Sequence, residues 1–219
     1  MTRTTDSSVL AALYTSAALP RLALLASVLI SCAVGRSYGI APLQVDAIAQ
    51  FGAPGFDEGF GVSATEGGAF VVGSLAETGT VANSPRDAYI AKYNDSAELV
   101  WSRALGKPND VDRFYGVATG PSGNAVAVGR VGPLASDVSI DAIIASYSGD
   151  GDELWRNHFD LGLGASESFR DVVVAPSGDS FAVGTVNYVA DAGRPSEAFV
   201  TRFDPSGSVL WSELFGDPV

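Results

Sequence analysis

The sequence predicts an all-β protein built from a repeated unit of four short strands. Residues of three types keep one period of about 55 residues, and they are Trp101, Trp155 and Trp211, Val62, Val117 and Val172, and Gly73, Gly129 and Gly184. The chain also has 25 glycines and 11 prolines but one methionine, which indicates many turns between short elements. Three copies of one structural unit are therefore expected.

Each unit begins with a short strand that ends at a turn. The first strands are predicted at 60–64, 115–118 and 171–174, and the turns at 66–68, 121–124 and 176–179. The second and third turns read Pro-Ser-Gly followed by Asn or Asp. Proline sets φ for an early turn position and the later residues accept positive φ, so these segments are hairpin connections.

Three further strands complete the unit. A second strand ends at the recurring glycine, which is expected to permit close backbone approach where units crowd around an axis. The third strands, at 87–93, 141–147 and 197–203, are apolar on both faces and predict sheets packed on two sides. The fourth strands begin at the tryptophans. Four antiparallel strands repeated radially predict β-propeller blades.

The landmarks of the unit resemble a known repeat. They are the tryptophan strand, an acid, Gly-Val-Ala, Pro-Ser-Gly-Asn, Val-x-Val-Gly and Asp-Ala-x-Ile-Ala-x-Tyr, spread over 50–216. This pattern is similar to the SBBP repeat of bacterial seven-bladed propellers, which implies a propeller in an exported bacterial protein. Three departures stand out: 66–68 lacks Pro-Ser, Arg130 replaces a small hydroxyl residue, and Asp160 replaces a glycine.

The predicted blades span 47–101, 102–155 and 156–211, with the start of a next strand at 212–219. Propellers typically have about four to eight blades, so three predict an incomplete ring. If 47–52 is counted as a strand, the chain has one strand more than three blades of four strands need. We interpret it as a fragment of a longer propeller, and association of partial rings is the alternative.

Residues 1–35 have the layout of an export signal. Arg3 and Arg21 precede the apolar run 22–30, which is too short for a bilayer core. Leu-Ile-Ser-Cys at 29–32 resembles the lipobox of bacterial lipoproteins, which implies lipidation of Cys32. The alternatives are ordinary cleavage before Arg36 and an uncleaved anchor. Residues 36–46 then form a tether, and the protein is expected in the cell envelope or outer membrane, or otherwise secreted.

Composition argues against a nucleic-acid partner and against cysteine-based cross-links or zinc sites. The formal net charge of -12 repels a polyanion, so nucleic acid is not an expected partner. A single cysteine rules out an intrachain disulfide and any zinc site built on several thiolates. Contact with a membrane is expected only through the lipid anchor.

A recurring acid is the candidate metal ligand. Asp57, Asp112 and Glu167 each lie five residues before the valine of a first strand, so a radial fold would place them in a ring. Carboxylate oxygens suit a hard cation, and the ring could hold Ca²⁺. The alternative is that each acid accepts hydrogen bonds from backbone N–H groups of a neighbouring turn. The same two interpretations apply to Asp87, Asp141 and Glu197.

Other candidates have structural interpretations. The segment 148–153 faintly resembles a calcium loop but occupies a hairpin position, so a turn is predicted. His158, the only histidine, is expected to be a packed or surface residue. The recurring tryptophans could form a sugar platform, but their equal placement in every unit favours packing.

The sequence carries no recognisable catalytic motif or cofactor-binding motif. The leading hypothesis is an exported, lipid-anchored propeller that serves as a binding or structural scaffold, not as an enzyme, for a protein or glycan ligand. The alternative is a fragment of an extracellular propeller enzyme, a polysaccharide lyase or hydrolase, whose active site lies on missing blades.

Overall fold

The computed structural model describes residues 48, 50, 55–76, 85–133, 140–161, 165–188 and 195–216. Within these ranges the chain forms twelve β-strands and no helix, which confirms the predicted all-β class. The strands form three sheets of four, and the strands of a sheet follow one another directly in the chain. Each sheet is one copy of the repeat that the sequence predicts.

Neighbouring strands are antiparallel in all three sheets. The first sheet contains β1 Glu58–Thr65, β2 Gly68–Ala76, β3 Arg86–Asn94 and β4 Leu99–Leu105. The second sheet contains β5 Arg113–Thr119, β6 Ala125–Val131, β7 Asp141–Tyr147 and β8 Glu153–Phe159. The third sheet contains β9 Ser166–Val174, β10 Ser180–Asn187, β11 Glu197–Phe203 and β12 Val209–Phe215.

Tight turns join the strands at one end of each sheet, where they were predicted. Between β5 and β6, Gly123 has a φ of 77° and its N–H donates to the Gly120 carbonyl at 3.0 Å. Between β9 and β10, Gly178 has a φ of 89° and donates to the Ala175 carbonyl at 2.9 Å. Only glycine adopts such φ values without steric cost, which explains the Pro-Ser-Gly pattern.

The recurring glycine of the second strand has a different role from the one predicted. A Cβ on Gly129 would lie 1.8 Å from the Arg113 carbonyl oxygen, and a Cβ on Gly73 would lie 1.9 Å from that of Glu58. The close approach is thus to the first strand of the same sheet and not to another unit around an axis. The reason is a β-bulge, which pushes the first-strand backbone toward the glycine.

Close approach between sheets occurs instead at glycines of the first strands. A Cβ on Gly61 would lie 3.0 Å from the Tyr115 carbonyl oxygen, and one on Gly116 would lie 2.9 Å from the Cα of Asp171. The strand β5 therefore packs closely against both β1 and β9. A larger residue at either glycine would push the neighbouring sheet away.

Two apolar cores hold the sheets face to face. One lies between the first and second sheets and includes Phe70, Val72, Ile90, Phe114, Ile143 and Tyr147. The other lies between the second and third sheets and includes Val126, Val128, Ile144, Phe169, Phe199 and Phe203. The middle sheet is buried on both faces, as its two-sided apolar strands predict.

The recurring tryptophans join each sheet to the next. The Trp101 indole N–H donates to the Gly149 carbonyl at 2.9 Å, and the Trp155 indole donates to the Pro205 carbonyl at 3.0 Å. Both acceptors lie in the turn between third and fourth strands of the following sheet. Trp101 is buried and Trp155 half-buried, so the predicted packing role is confirmed for these two.

The predicted blade limits at 101 and 155 fall inside β4 and β8, because each tryptophan strand pairs with the third strand of its own sheet. Most of the strand predicted at 47–52 lies outside the described residues, and Ile48 and Gln50 belong to no strand. The second sheet lies between the other two. In the described part of the chain the three sheets do not close into a ring.

Candidate functional site

The first strand of every sheet contains a bulge at the same place. The extra residues are Phe60, Tyr115 and Arg170, which are spaced by the repeat period. The rings of Phe60 and Tyr115 have centroids 5.2 Å apart, and the Arg170 Cζ lies 4.7 Å from the Tyr115 centroid. The three side chains therefore form one row across the three sheets, which we call the bulge row.

Bulges of this kind re-aim a side chain, and they are common next to active sites. Beside each bulge lies a cross-strand pair of the first and second strands that differs from sheet to sheet. The pairs are Glu58 with Ser74, Arg113 with Arg130, and Ser168 with Thr185. The backbone beside the bulge is thus the same in each sheet, but the side chains of the cross-strand pair differ in charge and polarity.

The charge in the first sheet is neutralised within that sheet. Arg86, from β3, is fully buried and forms an ion pair with Glu58. The Arg86 guanidinium also lies 4.8 Å from the centroid of the Phe56 ring. The Arg86 guanidinium is therefore buried with a carboxylate and an aromatic ring as partners, and the Glu58 charge offsets its own.

The recurring acids lie next to the bulges, and two of them have the same structural partner. Asp57 accepts a hydrogen bond from the Ala76 N–H, and Asp112 accepts one from the Gly132 N–H, both at 2.9 Å. Each donor lies three residues after the recurring glycine of that sheet. These bonds are of the backbone type that the alternative interpretation predicts for the acids.

The acids also join neighbouring sheets through their backbone. The Asp112 N–H donates to the Arg86 carbonyl, and the Glu167 N–H donates to the Ile140 carbonyl, both at 2.8 Å. Arg86 and Ile140 each belong to the preceding sheet or its edge. The position therefore connects one repeat to the next whatever its carboxyl group does.

Glu167 differs from the two aspartates. Its side chain is buried, and the backbone N–H groups of Leu161 and of Glu167 itself are the donors that favour its charged form. Burial, together with the charges of Asp160 and Asp141, raises the pKa of Glu167 to about 7. Burial also raises the pKa of Asp112 to about 6, against the bond from Gly132. Both groups hold a proton to higher pH than an exposed carboxyl group.

The search for a cation site covers only the part of the chain that the structure describes. Among the described residues, no three His, Cys, Asp or Glu side chains lie together in a way that could hold a metal ion. Asp87 is partly buried, which raises its pKa, and Glu197 accepts a hydrogen bond from the Tyr188 hydroxyl. Calcium binding by Asp57, Asp112 and Glu167 stays a prediction, which a calcium-dependent rise in melting temperature would support.

Two other predicted features have the expected structural roles. The segment 148–153 contains a turn, in which the Ser148 N–H donates to the Asp152 carbonyl at 2.8 Å. His158 is exposed, and its Nδ1 lies 3.8 Å from a carboxyl oxygen of Asp141. The prediction that His158 is a packed or surface residue is confirmed.

The sequence interpretation missed the arginines of this end, Arg113, Arg130 and Arg170. One signal existed, because Arg130 replaces the small hydroxyl residue expected there, and the equivalent residues are Ser74 and Thr185. The proximity of Arg113 could not be inferred, since it depends on the register of β5 against β6.

Cys32, the predicted lipidation site, lies outside the described residues. Within those residues, no helix has the length and apolarity that crossing a bilayer requires.

Comparisons with known proteins add little. No protein-family model and no curated protein match the chain. A protein of unknown function from Bacteroides caccae is 11% identical, with a TM-score of 0.38 over 72% of this chain and 61% of that one. A eukaryotic initiation factor is 9% identical, with a TM-score of 0.40 over 73% of this chain and 32% of that one. The chain spans less than two thirds of either protein. The resemblance to the SBBP repeat stays a prediction.

Proposed function

We propose that the chain is an exported, lipid-anchored β-propeller protein that acts as a binding scaffold at the bacterial cell surface and not as an enzyme. The observation that carries the proposal is a contrast within the sheets, between the parts that repeat and the end that carries the bulge row. The turns, the core and the tryptophan bonds repeat from sheet to sheet, whereas the bulge row changes from Phe60 to Tyr115 to Arg170. A constant frame with a varied end suits recognition of a ligand.

The packing of the sheets supports a propeller. The first strands β1, β5 and β9 are neighbours, as the innermost strands of adjacent blades would be. The outer face of the third sheet carries Val183 and Trp211, which are exposed, at positions equivalent to the buried Val72 and Trp101. This exposure is what an incomplete ring predicts, because a further blade would cover that face.

The proposed localisation rests on the leader, where only Ser31 separates the apolar run 22–30 from Cys32. The full chain should be expressed in a Gram-negative host and fractionated, and the mature N-terminus should be read by mass spectrometry. We expect a lipid-modified Cys32 in the membrane fraction, and loss of that lipid mass from the Cys32→Ser variant. A Ser31→Ala variant is the matched control and should stay anchored. An unmodified terminus at Arg36 would refute lipidation.

Binding and catalysis are separated by the fate of the ligand. The full chain should be applied to an array of bacterial polysaccharides, and the supernatant should be analysed for shorter oligosaccharides. We expect retention of unchanged glycan, weakened by Tyr115→Ala in the bulge row. The control Leu154→Ala, an exposed residue of β8, should bind as the parent does. Release of oligosaccharide would favour the lyase or hydrolase alternative.

A further inference from the structure

Two arginines are direct cross-strand partners at the bulged end. Arg113 of β5 lies opposite Arg130 of β6 in the antiparallel register. Residues paired in this way have Cβ atoms about 5 Å apart, and like charges in such a pair repel each other. The equivalent pairs in the other sheets, Glu58 with Ser74 and Ser168 with Thr185, contain no such repulsion. The second sheet therefore has a local excess of positive charge.

A third arginine reaches the same place from the third sheet. Val126 and Val128 pack in the core shared with that sheet, and Arg130 follows them with the alternation of the strand, so it shares their face. Strand β9 contacts both β5 and β6. Arg170, the bulge residue of β9, lies over the ring of Tyr115, two residues after Arg113. Arg170 is exposed, so solvent reaches the group.

Two donors of these arginines have no acceptor among the described residues. They are the Nε atoms of Arg113 and Arg130, which are buried, and an unsatisfied buried donor is uncommon. Among the described residues, none of the three arginines forms an ion pair. The charge of Asp112 raises the pKa of Arg130, but the Asp112 carboxyl group accepts its hydrogen bond from the Gly132 N–H.

The charges also act on one another. Burial lowers the pKa of Arg130 most; the Tyr115 hydroxyl raises it, the positive charges of Arg113 and Arg170 lower it, and the charge of Asp112 raises it. A bound anion would relieve this repulsion and would accept the unused donors. Guanidinium groups match the oxygens of phosphate and carboxylate in a two-point geometry.

We infer that Arg113, Arg130 and Arg170 form a binding site for an oxyanion, the phosphate or carboxylate group of a ligand. The neighbouring rings of Phe60 and Tyr115 provide apolar surface for the rest of that ligand. The inference gives a ligand class to the proposed binding function and rests on it. Arg86 is not part of the site, because Glu58 already neutralises it.

The test compares one sugar in three charge states. The full chain is titrated calorimetrically with glucose 1-phosphate, glucuronate and glucose, at constant ionic strength set by sodium chloride. The variants are Arg130→Ser, which introduces the residue type found at Ser74, and Arg170→Ser, which changes an exposed side chain. Arg103→Ser, an exposed arginine of β4, is the matched control.

We expect one or both charged sugars to bind and glucose not to bind, and the stronger charged sugar identifies the anion. Each site variant should weaken binding about tenfold, because a hydrogen bond to a charged group is lost. Arg103→Ser should stay within about twofold. Equal binding of glucose, no binding of either charged sugar, or an equal loss in the control would overturn the site. The lipid on Cys32 and the retention of polysaccharides on the array are measured in separate experiments, so the proposed function can stand when the oxyanion site fails.

Discussion

The contribution of the recurring tryptophans can be measured by truncating two of them. Trp101 is 8% exposed, packs against Phe70 and Tyr147, and donates its indole N–H to Gly149. Trp211 occupies the equivalent place in the third sheet but is 39% exposed, because the described residues include no following sheet. The two residues share one local sequence environment and differ mainly in burial.

We expect Trp101→Ala to lower the free energy of unfolding by about 3–5 kcal/mol, the usual cost of removing a buried tryptophan. Trp211→Ala should cost about 1 kcal/mol, since a large part of its ring already contacts solvent. Trp101→Phe, which keeps an aromatic ring and loses the N–H donor, should cost about 1 kcal/mol from the hydrogen bond. The measurement is urea unfolding of the full chain followed by far-ultraviolet circular dichroism.

The two alanine variants together test whether the tryptophan bond to the following sheet stabilises the stack of sheets. If Trp101→Ala and Trp211→Ala destabilise the chain equally, the bond to the following sheet does not stabilise the stack. The tryptophans would then act within their own sheets.

Two further predictions concern a turn and a titrating group. A residue other than glycine at a positive φ typically costs about 1–2 kcal/mol. Gly151→Ala should destabilise the chain by more than this, because Gly151 has a φ of 90° and a Cβ there would also lie 2.7 Å from the Trp101 ring. In urea unfolding, Gly67→Ala is the control, since its φ is also positive but nothing lies within 4 Å of a Cβ, and equal losses would contradict the reasoning. For Glu167, a folded pKa of about 7 means that the folded state binds more protons than the unfolded state above pH 4.5. The free energy of unfolding should therefore fall as the pH rises from 4.5 to 7. Glu167→Gln should make the melting temperature less dependent on pH over that range, whereas the control Glu153→Gln should not. A melting temperature of the parent that rises with pH would contradict the raised pKa.

The sequence was sufficient for the features that repeat. The turn at 121–124 and the packing of Trp101 follow from local residue types, because proline, glycine and tryptophan have few alternative roles in such a pattern. The bulge at Tyr115 was not predictable in this way. It adds one residue to β5 without a special residue type, and so shifts the partners of every residue beyond it.

The same limit explains why the candidate site was missed. Arg113 and Arg130 are 17 positions apart in the chain and become partners only through that register. The acids were easier to find, because they repeat with the period, and repetition is itself evidence of a structural role. A residue that breaks the period within a constant frame, as Arg130 does, is the better indicator of function in a repeat protein.

The charge of the whole chain gives the proposed anion site a distinctive response to salt. The arginines attract an oxyanion at short range, but the formal net charge of -12 repels it at long range. Raising the ionic strength from about 10 mM to about 150 mM shortens the Debye length from about 30 Å to about 8 Å, which screens the distant repulsion more than the contact. The association rate of glucose 1-phosphate, measured by stopped-flow fluorescence, should therefore rise with salt over this range. A rate that falls, as it does for anions approaching a basic protein, would mean that the local field of the arginines dominates the encounter and that this reasoning about the net charge is wrong.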